Sequence, residues 1–298
     1  MNKFKTVYVI INNFSGLKKG ESIFESIKNI FIESNFKLVS KNTEYQGHAV
    51  ILIKNLNFEL FDAICIIGGD GTVHEVINGM LLRPDNKKLP IGIIPGGTGN
   101  SFMHDRDCLN IVEAANRIVN WELSPLDIAK LSCDGNTIYS YNMIGWGMAT
   151  DISDRAESLR LLGLQRYNAA SLIEIALNKK RKAKLIIDGQ ELAGDFSMVI
   201  ACNTIHVGKA MKIAPNAKID DGYIDLIIAK ASSRLKLLSL FPKLFDGSHV
   251  DDPLVNYNQV KSFSIIPEES SKINIDGEIK ENSPISVTVQ KKMINILV

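Results

Sequence analysis

The sequence predicts an α/β domain with a parallel sheet, followed by a domain of antiparallel strands. Two observations carry this. In the first third, short apolar runs alternate with segments of helical spacing; beyond about residue 125, short β-rich stretches are bounded by Asp-Gly or Asn turns. Residues 6–11, 63–67 and 91–94 are apolar runs rich in Ile and Val, suited to buried strands, and 20–34, 72–82 and 111–119 carry helical spacing. Strands joined by crossover helices imply a parallel sheet that binds ligands beyond its carboxyl ends. Later stretches at 126–132, 137–143, 183–188, 195–201, 223–229, 260–266, 271–276 and 285–290 read as strands. The pairs Asp134-Gly135, Asp188-Gly189, Asp221-Gly222 and Asp276-Gly277 supply hairpin chemistry. Helical insertions are expected near 155–180 and 231–246.

The 298 residues suffice for two domains, and 45% hydrophobic residues give enough apolar material for a core without disulfides or metals. Lys and Arg number 34 against 33 Asp and Glu, a balance unlike the basic excess of nucleic-acid-binding proteins. Cys65, Cys108, Cys133 and Cys202 lie far apart without a CxxC pair, which suits reduced thiols in a cytoplasmic protein. The N-terminus lacks the apolar region of a signal peptide, and no apolar run approaches the roughly 18 residues of a membrane span. Peripheral membrane contact stays open, because Leu235, Leu237, Leu238, Leu240, Phe241, Leu244 and Phe245 with Lys236 and Lys243 make an apolar and basic stretch. Packing on a core is the other use of those leucines. The oligomeric state cannot be read from the chain.

Gly68-Gly69-Asp70-Gly71-Thr72 follows a strand and opens a helix. Its glycines let backbone N–H groups approach a ligand, and a helix N-terminus favours phosphate. A carboxylate in a phosphate cradle makes sense if Asp70 serves a cation or accepts a proton. The other reading is a plain turn in which Asp70 caps its helix. A second glycine turn, Pro95-Gly96-Gly97-Thr98-Gly99-Asn100, follows the next strand. Neither turn has the Walker pattern GxxxxGK[ST] or the dinucleotide spacing GxGxxG.

These motifs resemble the diacylglycerol kinase and sphingosine kinase superfamily. Gly68 to Thr72 matches its GGDGT signature, extended by His74-Glu75-Val76 and Asn78-Gly79, and Pro95 to Asn100 its second glycine-rich motif. Asn12-Asn13-Phe14-Ser15-Gly16 resembles the NPxSG loop with Asn13 in place of proline. Thr43 with His48-Ala49 is similar to the T…HA segment, and Asp220-Asp221-Gly222 and Asp276-Gly277-Glu278 to the DDG and DGE pieces. The resemblance implies a three-layer α/β nucleotide domain of the NAD kinase/diacylglycerol kinase type at 1–124 and a C-terminal β-sandwich for the lipid at 125–285. It also implies a last strand, 286–298, returning towards the first domain.

The resemblance further implies ATP as co-substrate, bound by Asn12, Ser15, Gly16, Thr43, Gly69, Gly71, Thr72, Gly96, Gly97, Thr98 and Asn100. It implies Mg²⁺ held partly through water by Asp70, Asp221 and Glu278, with Asp70, Asp276 and Glu278 as the catalytic group. Two bases stay open: Asp70, as the sphingosine kinases imply, or Asp276, as the soluble bacterial diacylglycerol kinases imply. The stretch Gly147-Met148-Ala149-Thr150-Asp151 to Arg160 and Arg166 resembles the sphingosine kinase segment with a headgroup-binding aspartate and two phosphate-binding arginines. Asp151 is then expected at the lipid headgroup and Arg160 and Arg166 at ATP. Met143, Trp146, Met148 and Leu161-Leu162 are candidates for the acyl chain, with core packing the more frequent use of such residues. The expected activity is ATP-dependent phosphorylation of a lipid hydroxyl, on a sphingoid base or a diacylglycerol-like acceptor. An NAD kinase and a catalytically silent ATP- or lipid-binding regulator are the rival readings.

Overall fold

A computed structural model describes residues 4–14, 19–207 and 211–298, with the side chains of Arg160 and Leu164 outside the description. The chain divides into two compact units, one of Met1–Leu126 with Lys292–Val298 and one of Asp127–Lys291.

The first unit runs β1 (Lys5–Ile11), α1 (Gly20–Glu33), β2 (Phe36–Asn42), α2 (His48–Asn55), β3 (Ala63–Gly68), α3 (Asp70–Leu81), β4 (Ile91–Pro95), α4 (Ser101–Asp105) and α5 (Ile111–Asn120). Its strands lie in the order β2-β1-β3-β4, all parallel, with Val9 beside Cys65 and Cys65 beside Gly92. Every residue of β3 is buried, so both of its faces are covered, which accounts for its unbroken apolar run. Ile27 and Phe31 of α1 and Ala114, Ala115 and Ile118 of α5 are buried at helical spacing. The side chain of Asn110 accepts the N–H groups of Val112 and Glu113 and so starts α5. Strand β2 does not stand out in the sequence, because it is an edge strand in which only Phe36 is buried.

Strand β5 (Leu123–Cys133) leads into the second unit, which continues with β6 (Asn136–Ser140), β7 (Met143–Gly147), α6 (Met148–Ser158), α7 (Arg166–Leu177), β8 (Arg181–Ile187), β9 (Gln190–Cys202), β10 (His206–Val207) and β11 (Met211–Lys212). It ends with β12 (Ile224–Lys230), α8 (Arg234–Leu240), α9 (Lys243–Asp246), β13 (Val255–Val260), β14 (Ser262–Pro267), β15 (Lys272–Ile275), β16 (Glu278–Asn282) and β17 (Ile285–Leu297). Long β9 is the organiser, pairing antiparallel with β7, β8 and β12. The ladder extends from β8 through β14 to β17 and from β7 through β15 to β16.

Alternation along these strands sorts side chains into two cores. Ile144, Trp146, Phe196, Val199, Ala201, Leu226 and Ile228 share one cluster with residues of β5, β8, β14, β15 and β17. Met143, Met198, Ile200, Cys202, Ile227 and Ala229 join Met148, Ile175, Leu237 and Leu240 of the helices in the other. The fold class is thus a parallel α/β core with a C-terminal antiparallel, sandwich-like domain.

Some elements differ from the sequence reading. The helical insertion expected at 155–180 begins earlier, at Met148, because α6 starts directly after β7. In the second unit β7, β10, β11, β13 and β16 are additional, and β9 runs to 13 residues. The end of β17 lies in the first unit, where Ile296 is parallel beside Ile91 of β4. All four cysteines are free and buried, and burial pushes the Cys65 thiol up to about 12. Among the described residues no helix is long and apolar enough to cross a membrane.

Candidate active site

In the first unit the candidate residues gather at the carboxyl ends of the parallel strands. Just past β1, the Asn12 amide donates to Ile67 O at 2.9 Å, and its Nδ2 donates to Thr72 Oγ1 at 2.8 Å. Thr43, just past β2, is buried and donates its amide to Ile11 O at 2.9 Å. One strand end thereby ties together Asn12, Thr43 and Thr72. Ser15 and Gly16, expected in the same loop, lie outside the described residues.

The two glycine turns touch through their backbones. Gly96 N–H donates to Gly68 O at 2.8 Å. A Cβ on Gly97 would sit 2.4 Å from Gly69 Cα, and a Cβ on Gly69 would sit 3.0 Å from Gly97 Cα. No side chain fits at Gly97 without separating the turns. Asn100, in the left-handed region at φ 51°, closes the second turn. Its Oδ1 accepts from Gly97 N–H at 2.9 Å, and its Nδ2 donates to Gly97 O at 2.8 Å. The Asn100 side chain therefore shapes the loop rather than pointing its polar atoms elsewhere. Thr98 is exposed at the turn's tip.

Asp70 does not cap its own helix. The N-cap of α3 is Gly69, with no side-chain cap bond. The Asp70 carboxylate instead accepts the first two amides of α4, from Ser101 at 3.0 Å and from Phe102 at 3.4 Å. It stays half-buried and braces one glycine turn against the other. Glu75, quoted in the sequence only as part of the extended signature, is buried and accepts from the N–H groups of Gly47 at 2.8 Å and Ala49 at 3.1 Å. It caps α2 and so positions the segment after Thr43.

In the second unit Asp276 and Gly277 form the two-residue turn between β15 and β16, at φ 52° and 93°. The hairpin reading holds, yet the side chain does more than a turn requires. Asp276 is only 4% exposed, and its carboxylate accepts from Ser140 Oγ at 2.7 Å and from the amides of Asn142 and Met143 at 3.0 Å. Glu278 pairs with Lys280 at 2.6 Å. Asp221 accepts from Tyr223 N–H at 2.9 Å, and the following Gly222 N–H is held by the buried Asp127 carboxylate. Asp70 belongs to one unit and Asp221 and Glu278 to the other. Each offers carboxylate oxygens, a hard ligand type of the kind Mg²⁺ takes.

Asp151, in the first turn of α6, is held by Arg181, whose Nη2 reaches its two oxygens at 2.9 and 2.8 Å. Arg166 pairs with Glu157 at 3.5 Å and lies over the Tyr167 ring, and the Arg160 side chain is outside the description. Trp146 takes the core-packing use. It is fully buried in the cluster of Phe196, Val199 and Leu226 with Nε1 donating to Ser271 Oγ at 2.7 Å, whereas Met143 and Met148 lie in the helix-side cluster. In α8, Leu237 and Leu240 pack inward while Leu235 and Leu238 are exposed.

Burial raises Asp225, 1% exposed on β12, above the usual carboxylate range, although Tyr257 and Gln259 donate to it. A carboxyl raised on folding contributes stability at low pH that is lost as pH rises through its folded value. Asp225→Asn is therefore expected to gain stability relative to the parent at pH 8 more than at pH 5. Urea unfolding at the two pH values checks this, and an equal shift at both would remove Asp225 as the titrating group.

Residues 6–131 match the diacylglycerol kinase catalytic domain, and 142–298 match the YegS C-terminal NAD kinase beta sandwich-like domain. The chain belongs to the diacylglycerol kinase and sphingosine kinase family. This lipid kinase family member is 30% identical to a sphingosine kinase of Arabidopsis thaliana over 92% of its own length and 68% of that protein. It is 26% identical to the diacylglycerol kinase of Bacillus subtilis strain 168, covering 92% and 90% of the two chains. Its fold matches the crystal structure of a diacylglycerol kinase from Bacillus anthracis at a TM-score of 0.82, with 26% identity over 100% of this chain and 98% of that one.

Proposed function

We propose that this family member transfers the γ-phosphate of ATP to a hydroxyl of a lipid. The observation that carries the reading is the pair of interlocked glycine turns with Asp70 braced between them. Amides of Gly69, Gly71, Thr72, Gly96, Gly97 and Thr98 would hold the phosphates, with Asn12 and Thr43 beside the nucleotide. Phosphoryl transfer asks chiefly for positioning and for stabilisation of charge. Asp70 would hold Mg²⁺ beside the turns, and the ion would supply charge neutralisation at the phosphates.

Asp70 is the favoured base for the lipid hydroxyl. It is half-buried and reachable, whereas the Asp276 carboxylate is buried and surrounded by donors. Asp276 then acts in holding the β15–β16 turn, and with it Glu278, in place. The acceptor's head would lie by Asp151, with an acyl chain against the methionine-rich cluster of Met143, Met148, Met198 and Met211, whose flexible side chains adapt to shape. Exposed Leu161, Leu162, Leu235 and Leu238 suit peripheral contact with a lipid surface.

The test is γ-labelled ATP offered with a panel of sphingoid bases, diacylglycerols, phosphatidylglycerol and alkyl alcohols, with NAD as a further acceptor. A labelled lipid and unlabelled NAD are expected. Labelled NAD alone would replace this reading by an NAD kinase, and no labelled acceptor at all would favour a silent regulator.

A further inference from the structure

We infer that Arg181 makes the acceptor site selective for lipids with an uncharged head, diacylglycerol-like, over cationic long-chain bases. This rests on the proposal that Asp151 faces the lipid head. A carboxylate recognises an ammonium by charge, and it can do so only while that charge is uncompensated. Here Arg181 Nη2 donates to both Asp151 oxygens, at 2.9 and 2.8 Å, and each side chain is only 19% exposed. The guanidinium of Arg181 lies against the carboxylate edge, so the charge that would recognise an ammonium is already compensated. An ammonium arriving at Asp151 would also meet a like charge.

Nor can Asp151 be released cheaply. Among the described residues Asp151 is the ion-pair partner of Arg181, and the buried Nη1 of Arg181 has no hydrogen-bond partner. Diverting Asp151 to an ammonium would strand a largely buried cation, which is the costly way to break such a pair. A hydroxyl head makes no such demand, since a carboxylate oxygen bound to Arg181 can still accept one further hydrogen bond. The selectivity is therefore built by repulsion of the wrong head as much as by attraction of the right one. Arg181 acts here through Asp151 and the field it sets, as a positioning residue.

The experiment compares kcat/KM for sphingosine, its uncharged N-acetyl derivative and a diacylglycerol, each in the same mixed micelles with the full chain. The parent protein is expected to favour both uncharged lipids over sphingosine by about tenfold or more, a modest difference in transition-state binding. Arg181→Met is expected to move the sphingosine-to-diacylglycerol ratio by about tenfold towards sphingosine, and Arg181→Lys to keep the parent ratio. A merely structural role would lower all three activities with the ratio unmoved, and that result overturns the inference. So does a parent protein that prefers sphingosine to its N-acetyl derivative, a comparison needing no variant. Failure to label any lipid is a different outcome. It removes the lipid kinase reading itself, and the inference with it.

Discussion

Asp70→Asn is expected to lower kcat for lipid phosphorylation by about 10²- to 10⁴-fold, the range associated with loss of a positioned proton acceptor. The replacement keeps an oxygen for the Ser101 amide, bound at 3.0 Å, so the fold and the brace between the turns should survive. Asp70→Ala removes the brace as well. Its additional cost is about 1 kcal/mol of stability, comparable with the loss of a helix cap. Rates with γ-labelled ATP and urea unfolding of the two variants separate the roles. Unchanged lipid phosphate production by Asp70→Ala would exclude Asp70 from both proton transfer and magnesium binding.

Gly97→Ala is expected to abolish measurable ATP binding and activity together. Its methyl would lie 2.4 Å from Gly69 Cα, and the obstacle is backbone rather than a side chain that can rotate away. The turns must part, which breaks the Gly96-to-Gly68 hydrogen bond of 2.8 Å and moves the amides proposed to hold phosphate. Overpacking of this kind costs about 1–3 kcal/mol. Gly47→Ala, at φ 87° but with open space around its Cβ, serves as a control of backbone strain without a clash. Nucleotide binding measured by calorimetry distinguishes the two, and normal ATP affinity in Gly97→Ala would show that the turns need not touch.

Much of the architecture was legible where one residue's neighbours in sequence are also its neighbours in space. The apolar runs of β1, β3 and β4 and the helical spacing of α1, α3 and α5 are of this kind. Strand β2 was not, since an exposed edge strand carries no apolar signature. In β17 the exposed central residues break the apolar pattern before Ile294, Ile296 and Leu297 resume it, so only the family resemblance, not the pattern, implied a strand over 286–298. Asp276 reads in sequence as either a hairpin residue or a functional carboxylate. The positive φ and the buried side chain show that the turn conformation and the enclosure by Ser140 to Met143 coexist.

By itself the sequence determined the family, the parallel-then-antiparallel order of the domains, and which turns bring backbone amides to the carboxyl edge of the sheet. Those properties depend on local spacing and on residue types that backbone geometry demands. Tertiary structure alone decided that Asp70 braces α4 instead of capping α3, that Gly69 and Gly97 lie in backbone contact, and that Asp151 is already held by Arg181. Each of these joins segments about thirty residues apart. A polar side chain takes whichever partner packing delivers, and a carboxylate can be satisfied equally by an amide, a hydroxyl or a guanidinium.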